Sequence, residues 1–276
     1  MERITSRQNS LIKNTVRLKQ KKYRDREGLY FFEGFKLFME AVAWQVPLEQ
    51  IFITEDALSS LNAAMVSNLD EICPYCHLVS EAVMAALSEQ KMPEGILCVA
   101  KKPGTEDSRK IFDDFLKKSA QKIQTCVILE DVQDPGNVGT ILRTADAAGF
   151  DLVLCSPKTA DIYGAKALRA AMGSVFHLPV VQTEDLKKTV LSLKALGLFL
   201  VGSSLSGDTT MSEYLGAQQA VGLILGNESR GMSADLSALC DALYKIPMYG
   251  RAESLNVSVA SGILMYDLAR ALKKHQ

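Results

Sequence analysis

Beyond about residue 124, short apolar runs alternate with helical patterns, and this alternation constrains the fold more than any other feature. The runs are Thr125–Leu129, Leu152–Cys155, Leu198–Val201, Val221–Leu225 and Ala242–Ile246, separated by helical periodicity such as that of Leu186–Leu196. Strands that are apolar almost throughout, rather than at every second position, need cover on both faces. Strand-helix alternation supplies that cover and implies an α/β domain with a mostly parallel sheet. The last helix, from about Asn256 to Lys273, places Val257, Ala260, Leu264 and Leu268 on one stripe.

The chain ahead of this region reads as a smaller α/β domain. Ser10 to Leu18 is weakly helical, and Phe31 to Trp44 reads as a helical stretch that ends before Pro47. Ile51–Ile53 and Gly95–Ala100 read as strands, with helical segments near Asp56 to Asn68 and Ser80 to Leu87. Lys101 to Asp107 combines a Pro-Gly turn with charge and no apolar periodicity, which marks a linker. The expected domains are therefore 1–104 and 105–276.

Of the 276 residues, 47% are hydrophobic and 23% charged, enough apolar material for a packed core and too much for disorder. The N-terminus has no apolar run behind its basic residues and no later stretch approaches membrane-spanning length, so a cytoplasmic protein with no membrane partner is expected. Six scattered cysteines then favour reduced thiols. Cys73-Pro-Tyr-Cys76-His77 formally matches haem attachment or half a zinc site, but haem attachment needs export and zinc needs a second ligand pair, so no metal is expected. The net charge of −1 is polarised: Arg3, Arg7, Lys13, Arg17, Lys19, Lys21, Lys22, Arg24 and Arg26 face only Glu2 and Asp25 within residues 1–26. Such a basic arm suits phosphate contacts, with Arg7, Lys13, Lys21, Lys22 and Arg24 as candidates, and equally suits a solvated helix face.

Three constellations carry chemistry. In Glu130 to Ala145 a strand ends in a Pro-Gly turn and Asn137 is placed to cap a helix at the carboxyl edge of the sheet, where open α/β folds bind ligands. Arg143 follows at roughly 9 Å along the helix axis, positioned for a phosphate-sugar unit or for an ion pair with Asp146. In Gly222 to Ser233 a strand breaks into a polar loop holding Glu228 and Arg230; Gly226 would admit a ligand to its backbone and Ser233 can cap the next helix. In Ile246 to Ala260, Ser254 or Asn256 can cap a terminal helix rich in small residues. The Gly-x-Gly-x-x-Gly turn and the Walker lysine loop are both missing, which disfavours dinucleotide and nucleoside triphosphate binding. His77, His177 and His275 lie away from these motifs, which argues against His-based nucleophilic catalysis.

Asp134-Pro135-Gly136-Asn137-Val138-Gly139 with Arg143-Thr144-Ala145, Leu225-Gly226-Asn227-Glu228 with Gly231, and Ile246-Pro247-Met248 with Ser254 to Ala260 resemble the three motifs of the SpoU/TrmH RNA methyltransferases, in family order. Tyr163 to Val180 resembles the family's connecting segment, and Ile4-Thr5-Ser6, Asn9, Leu18, Phe31-Phe32-Glu33-Gly34 and Lys36 resemble its ribosomal-protein-like N-terminal domain. The resemblance implies a SPOUT domain whose parallel sheet ends in a deep trefoil knot, preceded by a small α/β substrate-binding domain, in a homodimer that completes the RNA site across its interface. It implies an S-adenosylmethionine-dependent enzyme that methylates a ribose 2′-hydroxyl in structured RNA, ribosomal RNA slightly favoured over transfer RNA and DNA excluded by the acceptor.

By motif position the resemblance implies that Ser203, Ser204, Gly226, Ile246, Met248 and Leu255 hold the adenosyl group, and that Asn137, Arg143, Glu228, Ser254 and Asn256 surround the acceptor ribose. Arg143 would act as general base or, because guanidinium stays protonated, as a partner for phosphate and developing oxyanion. An RNA-binding assembly factor without turnover, a base-nitrogen methylase and an unrelated oxidoreductase are the competing readings.

Overall fold

A computed structural model describes residues 1–118, 124–208 and 220–273. The chain divides into two compact units: Met1–Gly104 with Asp161–His177, and Thr105–Ala160 with Leu178–Gln276. Where the sequence suggested an unbroken second domain over 105–276, the stretch Asp161–His177 packs with the first unit instead. Its hold there is a buried ion pair, in which Arg24 donates from Nε (3.0 Å) and Nη2 (2.5 Å) to Asp161 Oδ2.

The first unit contains a mixed five-stranded sheet, β1 (Glu2–Ile4), β2 (Leu29–Glu33), β3 (Leu48–Ile53), β4 (Cys76–Val79) and β5 (Ile96–Lys101), in the order β1-β4-β3-β5-β2. Period-two alternation sends Tyr30 and Phe32 to one buried cluster and Phe31 to the other, so both faces of the sheet are covered. The expected helix over 31–44 is thus two elements. Gly34, at φ +103°, ends β2 and admits the helix Phe35–Ala43, whose first amide donates to Glu94 Oε2 at 2.9 Å. The helix expected over 56–68 is likewise split, into Glu55–Ser60 and Ala63–Ser67, each with its own side-chain cap from Thr54 and Asn62.

β5 runs to Lys101 and a helix occupies Thr105–Lys118, so the expected linker 101–107 contracts to three residues. In the second unit β6 (Gln124–Leu129), β7 (Leu152–Cys155), β8 (Val180–Gln182), β9 (Phe199–Asp208), β10 (Ala220–Leu225) and β11 (Ala242–Tyr244) form an all-parallel sheet ordered β11-β9-β10-β6-β7-β8. Cys126, Ile128, Leu152 and Leu154 face the buried cluster that includes Val190 and Leu193 of the helix Leu186–Ala195. The intervening Val127, Leu129 and Val153 are fully buried as well, which is why these strands read as continuous apolar runs. From β6 the chain builds β7 and β8 to one side and later places β10 on the other, so the strand order reverses at the β6/β10 pair. Loops leaving those two strands meet at the crevice where open α/β sheets bind ligands.

Candidate active site

After β6 the chain turns through Asp131, held at φ +56° by Ser156, whose Oγ accepts from the Asp131 amide (2.9 Å) and donates to its carboxylate (2.7 Å). The helix Pro135–Ala147 is capped by Asp134, not by the expected Asn137: Asp134 Oδ1 accepts from the Asn137 amide at 2.9 Å, and proline fills the first turn, where its missing N–H costs nothing. Asn137 therefore sits one turn inside, with its side chain free to point across to the other two motifs.

Across the crevice, Gly226 leads from β10 into a loop that folds back through an Asn227–Gly231 bridge. A Cβ at Gly226 would lie 2.2 Å from Gly231 C and Met232 N. The returning backbone by itself requires glycine there, whatever approaches it from the cleft. Asn227 fastens this loop to the first, donating from Nδ2 to Asp131 O at 2.8 Å and accepting from the amides of Ser229 and Arg230. Ser233 caps Ala234–Ser237 as expected.

Glu228 joins the motifs. Its carboxylate accepts from the amides of Gln133 (3.1 Å) and Asp134 (3.0 Å) and from Asn137 Nδ2 (3.2 Å). Asn137 Oδ1 in turn accepts from Asn256 Nδ2 at 3.1 Å, and Asn256 Oδ1 accepts from the amide and hydroxyl of Ser258, which makes it the N-terminal cap of the helix Val257–Lys273. Three of the five expected catalytic residues thus form one polar relay, Glu228–Asn137–Asn256. Burial pushes the Glu228 carboxyl up, but the amides of Asp134 and Gln133 and the Asn137 side chain outweigh it and hold the carboxyl below its ordinary value.

Ser254 is exposed and lines the neighbouring cleft. Arg143 is exposed and makes no ion pair with Asp146 or any other described residue. Six residues turn a helix through roughly 600°, so Arg143 leaves it about 120° from Asn137 and stands outside the relay.

Beside the relay lies a cleft of ≈ 580 Å³. Ser203, Ser204, Gly226, Ile246, Met248 and Leu255, the residues expected around the adenosyl group, all line it, joined by Leu225, Val257 and Ala260. The volume falls in the range of small-molecule sites, and a lining that mixes apolar side chains with serine hydroxyls suits an adenosyl group with no phosphate to hold. Arg230, whose Nη2 lies 3.5 Å from Asp131 Oδ2, stands on the same rim; the sequence marked its loop but gave it no role.

The basic segment 1–26 is folded, as β1 and the helices Ser10–Arg17 and Lys21–Glu27. Arg7, Lys13, Lys21 and Lys22 are exposed, as phosphate contacts require. Arg24 is not: it is 5% exposed, held by Asp161 and donating to the carbonyls of Leu18 and Lys19, so its expected RNA contact is replaced by a structural role. Cys73 and Cys76 are buried in the core of the first unit, where burial pushes the Cys76 thiol up to about 11. His275 lies outside the described residues. Among the described residues no helix is long and apolar enough to cross a membrane.

Residues 124–266 match the SpoU rRNA Methylase family, and residues 9–98 match the MRM3-like substrate binding domain. A relative from Bacillus subtilis, 23S rRNA (guanosine(2553)-2′-O)-methyltransferase RlmP, is 35% identical over 268 residues, 97% of this chain and 99% of the relative. The AdoMet-bound rRNA methyltransferase of Sinorhizobium meliloti superposes with a TM-score of 0.85 at 28% identity, covering 98% of each chain. The SpoU methyltransferase AviRb of Streptomyces viridochromogenes in complex with AdoMet does so with a TM-score of 0.80 at 25% identity, over 98% of this chain and 100% of that one. Fold, cleft and these likenesses together define an RNA methyltransferase whose methyl donor is S-adenosylmethionine. The chain belongs to the SpoU rRNA Methylase family, in the SpoU/TrmH group of RNA 2′-O-methyltransferases.

Proposed function

We propose that this protein methylates a ribose 2′-hydroxyl of large-subunit ribosomal RNA, working as a cytoplasmic homodimer with no DNA or membrane partner. The observation that carries the reading is the Glu228–Asn137–Asn256 relay, which sets a fixed polar edge on a cleft suited to an adenosyl group. The likeness to RlmP over nearly its full length supports ribosomal over transfer RNA. Family membership supports the trefoil knot, and the second domain of the enzyme follows the family match across 124–266.

Bound S-adenosylmethionine supplies a methyl group on a sulfonium. The chain must bring the ribose oxygen in line with that carbon and favour loss of the hydroxyl proton. Ser203, Ser204, Gly226, Ile246, Met248 and Leu255 hold the donor. Glu228 orients Asn137 and does not take the proton, because its oxygens are already committed to Gln133, Asp134 and Asn137. Asn137, Asn256 and Ser254 face the ribose. Arg143, permanently charged and without a competing carboxylate among the described residues, binds the target phosphate and stabilises the oxygen as it becomes negative. Exposed Arg7, Lys13, Lys21 and Lys22 contact flanking phosphates.

The C-terminal helix supports the homodimer. Val259, Ile263 and Tyr266 are 53%, 38% and 44% exposed at spacings of four and three, an apolar stripe opposite buried Leu264 and Leu268. The experiment is to incubate the purified protein with labelled methyl donor and 23S rRNA from cells lacking it, then to map 2′-O-methyl nucleotides. One new 2′-O-methyl ribose is expected; a methylated base or no transfer would refute the reading.

A further inference from the structure

The first unit holds a second cleft, of ≈ 240 Å³, between the helices Ser10–Arg17 and Lys21–Glu27 and the strands β2, β3 and β5. Its apolar lining is Leu11, Leu18, Leu29 and Val99, of which Leu18 and Val99 are buried and Leu11 and Leu29 half-buried. Its polar lining includes Asn14, Gln50 and Glu27. Tyr23 lines it from the second helix, and three cations surround that one ring: Lys22 Nζ and Arg26 Cζ at 4.9 Å from the centroid and Arg17 Cζ at 5.8 Å.

This charge arrangement is unbalanced. Arg26 is satisfied by Glu27, with Nε at 2.8 Å and Nη2 at 2.6 Å from Oε1. Arg17 and Lys22 have no carboxylate partner among the described residues. Like charges gathered at one ring repel, and the arrangement relaxes when a polyanion arrives. An aromatic ring, apolar side chains and the amides of Asn14 and Gln50 in one lining, with cations gathered at that ring, are together what an unstacked nucleotide needs: a stacking face, hydrogen-bond partners for the base edge and charge for the adjoining phosphates.

We propose that this cleft is a nucleotide subsite for the RNA substrate, in which an unpaired base stacks on Tyr23, its edge meets Asn14 or Gln50, and Arg17 and Lys22 take the phosphates on either side. The proposal rests on the RNA-methyltransferase reading. It adds a specificity element apart from the methyl-transfer site, one that selects RNA in which a base other than the target is splayed out of its helix. Tyr23 is a binding residue for RNA and takes no part in the chemistry.

The test uses the full-length protein with an unmodified 23S rRNA transcript. Tyr23→Ala is expected to raise KM for RNA by about 5- to 100-fold, the range of one base-aromatic stack. It should leave kcat at saturating RNA and donor affinity unchanged, while Tyr23→Phe, which keeps the ring, stays near wild type. Arg17→Ala and Lys22→Ala should each lower the salt slope of binding by about one. Ultraviolet crosslinking of wild-type protein to thiouridine-substituted RNA should label the peptide holding Tyr23. Unchanged KM in Tyr23→Ala, or crosslinks that spare this peptide, would overturn the subsite. Should Tyr23→Ala fail to fold, the charge variants and the crosslink decide alone. A wild-type protein that crosslinks at Tyr23 yet transfers no methyl to the RNA would instead break the functional reading and leave the subsite standing.

Discussion

Arg143 and Glu228 are both charged residues of the family motifs, and their surroundings differ. Arg143 is exposed and has no ion pair with a described residue, which suits the substrate role proposed for it. Replacing it with alanine should lower kcat by roughly 10²–10³, the usual loss on removing one oxyanion donor, with donor binding retained by calorimetry. Arg143→Lys should recover only part, because a point charge does not reproduce the bidentate fork. Glu228 is committed to the protein, and its lowered pKa fixes the sign of its pH dependence. A carboxylate held below its unfolded value contributes stability fully above the ordinary carboxylate range and loses it as pH falls through the folded value. The melting-temperature difference between wild type and Glu228→Gln should therefore stay constant from neutrality down to that range and shrink only below it. A difference that varies around neutral pH would contradict this assignment.

At the scale of elements, two contacts are decisive, and neither is visible in a linear reading. Gly226 was legible as special for ligand access, but the clash that a side chain would meet, with the backbone of Gly231 and Met232, exists only once the loop has folded. Gly226→Ala should push that loop away from the cleft, weakening donor binding at least about tenfold and lowering the melting temperature. Arg24 was legible as one cation among nine, because a charge run does not reveal which member is buried by a residue 137 positions away. Removing one partner of such a pair leaves an uncompensated buried charge, so Asp161→Ala should cost about 3–5 kcal/mol in chemical denaturation. The strands of the parallel sheet were legible because burial on both faces writes itself as unbroken apolar runs. β2 was not, since its Leu-Tyr-Phe-Phe run adjoins a true helix and only the positive φ of Gly34 separates them.

The whole molecule draws its site from sequence-distant pieces. Asn137 lies in the first turn of a helix and Glu228 and Asn256 on two later connections, and the parallel order with β10 beside β6 brings the first two together. Motif order could identify the family, but the relay itself needs the folded loops. Arg143 stands outside that relay, about 120° around its helix from Asn137. The exposed Val259, Ile263 and Tyr266 stripe lies on the C-terminal helix, which packs against the Arg143 helix, where Gly262 lies beside Thr144. If this stripe is the interface of the proposed dimer and Arg143 acts as proposed, assembly and activity are coupled. Ile263→Glu buries a carboxylate in any interface formed by this face but leaves it solvated in a monomer, so it should dissociate the dimer without unfolding the chain. Light scattering should then report a monomer with near-native circular dichroism, and methylation should fall in step with the dimer fraction. Activity that persists in the monomer would mean that one chain carries the complete site and that Arg143 reaches the ribose from its own subunit.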